Sequence, residues 1–219
     1  GAYVPIEAGT PETRARSIIN RCDITVTIQQ ANITATWIGY VETTVVVSAT
    51  GEVNHANDGA GTSVEKIIAR GLACYAICTS GSTGKAKVVV LEHRSVRALV
   101  VAATASEALR HSHTDIVLQS FAYIFDGFVG TQWYTFAACA CLALFDKNVL
   151  LGSGMDLIRE YKVTVLSATA SQLAVLDPTE LPLVRTATQG GERLPADLML
   201  QWSARMPFYN MYGPTEASV

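Results

Sequence analysis

From residue 72 onward, short apolar runs alternate with segments whose apolar residues recur at helical spacing, and this alternation leaves few folds open. "LACYAICTS" (72–80) is continuously apolar, as a strand buried on both faces is, and "KVVVLEH" (87–93) is a second strand-like run. A helix follows in "RSVRALVVAATASEALR" (94–110), with Ser95 as its cap, then a strand in "DIVLQS" (115–120). "DGFVGTQWYTFAACACLALF" (126–145) reads as one mostly buried helix. The pattern then continues: "GMDLIREYK" helix, "VTVLSAT" strand, "SQLAVL" helix, "VRTATQGG" strand, "PADLMLQWSAR" helix, and a last strand running into "YNMYGPTE". Upstream, "DITVTIQQ" (23–30) and "TTVVVSAT" (43–50) are strands. "TPETRARSIIN" (10–20) is a helix capped by Thr10 with Pro11 in its first turn, and "SVEKIIARG" (63–71) a short helix or turn. The expected class is α/β: layered, largely parallel sheets flanked by helices, in one unit spanning 1–219 with a sub-sheet boundary near residue 72.

With 49% apolar and 16% charged residues, the chain reads as globular. A net charge of −3 argues against nucleic acid, which wants a basic face. The one local cation cluster is Lys85, Lys87, Arg94 and Arg97. Cysteines 22, 74, 78, 139 and 141 form no CxxC pair; they read as buried, reduced thiols, and the spacing does not suit zinc. His111 and His113 read as a surface turn and His93 as a structural residue at a helix start. Residues 127–145 carry no charge, but Gln132, two glycines and the bracketing Asp126 and Asp146 favour a buried helix over a membrane span. No signal peptide opens the chain, and a soluble, cytoplasmic protein is expected.

Six of the seven residues from Thr79 to Lys85 are Ser, Thr or Gly. A P-loop needs G-x-x-x-x-G-K-[ST], yet Thr79 stands five before Gly84 and Ala86 follows Lys85, so both ends of that pattern fail. What remains is a loop whose amides and hydroxyls at Thr79, Ser80, Ser82 and Thr83 can donate to phosphate oxygens. Gly81 and Gly84 permit close approach, and Lys85 and Lys87 add charge. Separately, "YGPTE" (212–216) supplies an aromatic face, a turn, a hydroxyl and a carboxylate within five residues.

"GAYVPIEAGTPETRARSII", "TSGSTGKAK", "EHRS", "FDGFVGTQW", "GGERLP" and "NMYGPTE" occur in one order along the chain. In these motifs it resembles the adenylate-forming enzymes, and within them the amino-acid adenylation domains of nonribosomal peptide synthetases. The resemblance implies the N-terminal core of that fold, with the C-terminal subdomain absent. It implies activation of an amino acid by ATP and Mg²⁺ as an acyl-adenylate. The acyl group then passes to the phosphopantetheine thiol of a peptidyl carrier domain, in a synthetase that also carries condensation domains. By similarity, Thr79 through Lys87 (Thr79, Ser80, Gly81, Ser82, Thr83, Gly84, Lys85 and Lys87) grip the β- and γ-phosphates. Asn210 bonds the adenine amino group, Tyr212 stacks on the purine, and Gly190 and Gly191 let the backbone lie close to the base. Thr215 donates to the α-phosphate and Glu216 helps to hold Mg²⁺; Lys85, Thr215 and Glu216 are the residues assigned to catalysis.

The same resemblance pairs Asp126 with the substrate α-ammonium, a carboxylate that is costly in apolar surroundings without a cation. It lines the side-chain pocket with Gly127, Gly130, Val165, Ala187, Gln189, Met211 and Val219. Two glycines and an alanine leave room for a long or bulky side chain: an acylated hydroxy-ornithine of the siderophore type, an aromatic or a long aliphatic. The family usually has Pro at Ala86 and Gly at Val88, which bears on loop motion. Two alternatives remain at this level: an acyl-CoA or aryl-acid ligase, against which Asp126 argues, and a non-catalytic relic of the fold.

Overall fold

The computed structural model describes residues 1–33, 35–48, 50, 53–55, 72–79 and 87–217. The chain divides into two compact units, Gly1–Glu92 and His93–Val219. In the first, α1 (Glu12–Cys22) precedes β1 (Val26–Gln30), β2 (Thr43–Val47) and β3 (Val53–His55). β1 and β2 pair in parallel and β3 returns antiparallel on β2. Ala15 and Ile19 of α1 pack with Ala35 and Trp37 as a small core. β4 (Ala73–Thr79) and β5 (Lys87–Glu92) form an antiparallel pair, with Tyr3 bridged to Tyr75. The helix expected over 63–71 lies outside the described residues.

The second unit carries α2 (His93–Ala105), β6 (Ile116–Gln119), α3 (Asp126–Ala137), β7 (Cys141–Leu144), α4 (Lys147–Glu160), β8 (Val165–Ala168), α5 (Ala170–Leu173), β9 (Thr186–Gln189), α6 (Ala196–Ser203) and β10 (Phe208–Asn210). Its five strands run in the order β10-β9-β8-β6-β7, and every pairing is parallel. Leu118, Leu166 and Ala187 turn one face of the sheet toward Ile158 of α4, Leu173 of α5 and Leu198 and Trp202 of α6. α3 packs on β6 and β7, with α2 against it. From β6 the chain steps one way to β7, then crosses back to β8, β9 and β10. With right-handed crossovers this reversal puts α3 on one face and α4 to α6 on the other.

The parallel α/β architecture is the one expected from the alternating pattern, but several local expectations are corrected. The run 126–145 is not one helix. α3 stops at Ala137, Cys139 takes a left-handed turn (φ 54°), and "CLAL" becomes the edge strand β7 on β6. A continuous apolar run is equally compatible with buried helix and buried strand, and here strand pairing decides. Thr10 does not cap α1: Pro11 occupies that position without a side-chain bond. Ser95 lies inside α2, which already begins at His93 and ends at Ala105 rather than near 110. Of the five cysteines, all free, only Cys74 is fully buried, and Cys139 and Cys141 are exposed. His111 is no surface-turn residue: its ring meets Tyr134 of α3 edge-on, with centroids 6.4 Å apart. Among the described residues no helix is long and apolar enough to cross a membrane.

Candidate functional site

In open parallel sheets, ligands bind outside the C-terminal strand ends where neighbouring strands send their connections to opposite faces. Here that place lies between β6 and β8, and the chain segments leaving the two strands are tied across it. Ser120, just after β6, donates its hydroxyl to the Ser167 carbonyl (2.6 Å), and its own carbonyl accepts from Gln172 Nε2 (2.8 Å). Gln172 also closes a capping box with Thr169 at the start of α5. Gln119, the last residue of β6, is 4% exposed; its Nε2 donates to the Phe128 carbonyl (3.0 Å) and its Oε1 accepts from Phe121 N–H (3.3 Å). One side chain therefore fixes both the exit from β6 and the first turn of α3.

That first turn begins with Asp126, half-buried, whose carboxylate accepts from Gly127 N–H (2.8 Å). Burial, and then the negative charge of Asp126, push the Tyr134 phenol two turns further along α3 up to about 12. The space beside Gly127 is already taken: a Cβ built there would stand 3.2 Å from the Phe121 ring. Gly130 is buried.

The remaining residues expected to line the pocket fall on both faces of the sheet. Parallel partners point the same way, so Leu166 and Ala187 share the α4–α6 face, as do Ala168 and Gln189. Val165 points to the other face with Ser167 and Thr188, whose hydroxyls meet at 2.7 Å. Gln189 is fully buried; its Nε2 donates to the Glu192 carbonyl (2.7 Å), while its Oε1 has no hydrogen-bond partner among the described residues. Val219 lies outside the described residues.

Beyond β9 and β10 the backbone is stitched together: Met211 N–H donates to the Gln189 carbonyl (2.7 Å) and Gly190 N–H to the Ala168 carbonyl (3.2 Å). Gly191 holds φ +83°, which a residue with a Cβ rarely adopts, whereas a Cβ at Gly190 would meet Met211 only at an ordinary 3.6 Å. Glu192 is turned away from the sheet end to accept from the amide and hydroxyl of Ser171 (2.8 and 2.7 Å), bonds that hold its carboxyl below the usual range. Asn210 and Met211 are exposed, and Tyr212 is 95% exposed, its ring free on both sides among the described residues. Thr215, half-buried, and Glu216, exposed, sit in a single 3₁₀ turn (Thr215–Ala217) closed by Ala217 N–H on the Pro214 carbonyl. A hollow of about 320 Å³ opens beside this region, lined by Ser171, Glu192, Arg193, Asp197 and Gln201, and by neither Asp126 nor Tyr212.

In the first unit, Thr79 ends β4 and Lys87 opens β5, facing each other in register. Ser80, Gly81, Ser82, Thr83, Gly84 and Lys85 lie outside the described residues, as does Ala86. Val88 sits within the β5 ladder opposite Cys78, an extended position that a β-branched residue suits. No group of three His, Cys, Asp or Glu side chains gathers as a metal cage among the described residues.

The sequence profile of the AMP-binding enzymes matches residues 1–219. The chain belongs to that family. A linear gramicidin synthase polypeptide of Brevibacillus parabrevis is 34% identical over 224 residues, covering 100% of this chain and 3% of that protein. Nonribosomal peptide synthetase 1 of Aspergillus fumigatus is 28% identical, over 100% of this chain and 4% of its own length. The chain thus spans a few hundredths of these relatives. Among solved structures, the Vibrio cholerae adenylation domain AlmE, in complex with glycyl-adenosine-5'-phosphate, superposes with a TM-score of 0.77 at 19% identity, covering 100% of this chain and 46% of that one. IdnL1 superposes with a TM-score of 0.81 at 16% identity, over 100% and 45%. These likenesses establish the fold.

Sequence reasoning missed Gln119, Ser120 and Gln172, which shape the crevice. A polar residue ending an apolar strand and the T-x-x-Q spacing of Thr169 and Gln172 were the available signals.

Proposed function

We propose that the chain activates an amino acid with ATP as an aminoacyl-adenylate, within a nonribosomal peptide synthetase that passes the acyl group to a carrier-domain phosphopantetheine thiol. Supporting this, Asn210, Tyr212, Thr215 and Glu216 leave the C-terminal end of β10, while Asp126 follows the end of β6. Three strand spacings separate those ends, about 14 Å of sheet. An extended aminoacyl nucleotide bridges such a span, with the purine on the open Tyr212 ring and the α-ammonium at Asp126.

The observation that carries the amino-acid part is Asp126: a half-buried carboxylate at the head of α3 that accepts from the Gly127 amide and has no cationic side chain bonded to it among the described residues. An ammonium ion supplies the missing countercharge, and a fatty or aryl acid does not. Attack of the substrate carboxylate on the α-phosphate requires two anions to be screened and held in line. Thr215 donates to the developing charge there, and the loop 79–87 with Lys85 takes the departing pyrophosphate. Glu216, exposed and without a neighbouring acidic cluster among the described residues, fits a Mg²⁺ ion that keeps water and phosphate oxygens as its other ligands. The setting is cytoplasmic, with condensation and carrier domains as partners.

The test is amino-acid-dependent exchange of pyrophosphate into ATP, run on a polypeptide carrying this sequence together with the remaining length of its relatives. Asp126→Ala is expected to lower exchange with amino acids by at least a hundredfold. Exchange supported only by acids lacking an amino group, or undiminished selection in Asp126→Ala, overturns the reading.

A further inference from the structure

One short helix stands between the two ends of the crevice. α5 follows β8, the strand between β6 and β9, and adjacent residues of α5 grip opposite sides. Toward β6, Gln172 Nε2 donates to the Ser120 carbonyl (2.8 Å), in the segment that runs on to Asp126. Toward β9, Ser171 gives its amide and hydroxyl to one oxygen of Glu192 (2.8 and 2.7 Å). The Glu192 carbonyl accepts from Gln189 Nε2, and the Gln189 carbonyl from Met211 N–H, where the chain leaves β10 for Tyr212 (both 2.7 Å). A line of bonds thus runs across the strand ends, and its step between β8 and β6 depends on one carboxamide. That group is fixed at both ends, because Gln172 Oε1 accepts from Thr169 N–H (2.9 Å) while Nε2 reaches Ser120. Filling the space asks only for a side chain of this length; the hydrogen bonds ask for glutamine.

We propose that Gln172 is a positioning residue for adenylate formation: through Ser120 it sets the distance between Asp126 and the segment 210–216. This rests on the function proposed above. In that reaction a carboxylate oxygen bonds to the α-phosphorus as the bond from phosphorus to the pyrophosphate oxygen breaks, and the protein exchanges no proton or electron. Alignment is what the clamp supplies, and a misplacement of about 1 Å costs about a hundredfold in rate. Amino acid and nucleotide each still find their own end of the crevice when the clamp is loosened, so the loss falls on kcat and spares both KM values.

The experiment measures exchange of pyrophosphate into ATP, and melting temperature, on a polypeptide carrying this sequence with the remaining length of its relatives. Gln172→Met keeps the side-chain length and removes both bonds. Its kcat is expected to fall about ten- to a hundredfold, with KM for ATP and for the acid within about threefold of the unmodified values. Gln172→Glu keeps the acceptor for Thr169 N–H but loses the donor to Ser120, and is expected to fall as far; it carries the test if Gln172→Met does not fold. Thr169→Ala removes the side-chain cap of α5 and leaves the bond to Ser120, so it is expected to lower the melting temperature with kcat unchanged. A kcat for both Gln172 variants within about twofold of the unmodified chain, or an equal fall in Thr169→Ala, overturns the proposal. Exchange confined to acids without an amino group overturns the amino-acid reading alone, because the Gln172 effect is then read with those acids. Exchange with no acid overturns both.

Discussion

Gly127 shows how one hydrogen in place of a methyl group ties the head of α3, next to Asp126, to the packing around it. On an α-helix, Ala is preferred over Gly by about 0.5–1 kcal/mol, so Gly127→Ala in open space would stabilise α3. The Phe121 ring, 3.2 Å from the Cβ such a substitution creates, opposes that gain by having to shift. The expected outcome is a sign change: Gly127→Ala destabilises by about 0.5–1.5 kcal/mol with Phe121 present and turns neutral or stabilising in a Phe121→Ala background. A double-mutant cycle on denaturant midpoints measures it, and equal effects in both backgrounds refute the contact. From the sequence, Gly127 read as a residue leaving volume beside Asp126. Phe121, six residues earlier, fills that space, and nothing in the local string announces it. By contrast, the run from Asn210 to Glu216 stands out in the sequence because its chemistry is contiguous along the chain, whereas the positive φ of Gly191 was not expected, only a close backbone approach there.

At the scale of elements, the parallel sheet was readable because each strand is an apolar run and each crossover helix carries its own periodicity. The division of 126–145 was not, because helix and edge strand share one apolar composition and only pairing with β6 separates them. The same limit hid the two glutamines that organise the crevice, since Gln172 reaches Ser120 across 52 residues of chain. Gln119 offers the sharper test. Replacing it by Leu keeps the volume but strips partners from the Phe128 carbonyl and the Phe121 amide, two part-buried backbone groups. Leaving such groups unsatisfied costs about 1–3 kcal/mol. Gln119→Leu is therefore expected to lower stability by that amount and to speed amide exchange selectively at Phe121, whose N–H loses its acceptor. Unchanged exchange at Phe121 would show that the side chain does not hold the exit from β6.

At the scale of the second unit, one ion pair stands at the N-terminal ends of β6 and β9, opposite the crevice. Asp115 is 3% exposed and accepts from the Arg185 guanidinium (2.8 and 2.5 Å), the Thr164 hydroxyl (2.8 Å) and the Ser112 amide (2.6 Å). Burial alone would raise its carboxyl, but these bonds outweigh it and hold it at about 2. Nearby His111 packs on Tyr134; burial, opposed by Asp115 and reinforced by Arg185, depresses its ring to about 4. Both groups are depressed on folding, so the unfolded chain binds protons that the folded one refuses, and stability falls as pH falls. For His111 the contribution is complete above its ordinary value of 6.5 and is lost by about 4; for Asp115 it is complete above 3.8 and is lost toward about 2. The histidine step, screened because the ring is only partly buried, is on the order of 2 kcal/mol. Denaturant titrations at a series of pH values are expected to show stability declining between about 6.5 and 4, before ordinary carboxylates titrate. His111→Phe keeps a ring against Tyr134 but removes the titration, so its profile is expected to run flat through that window and fall only below it. A decline of the same size in His111→Phe would assign the acid sensitivity to other groups, and would separate the His111 ring from the stability of the helix α3 it packs on.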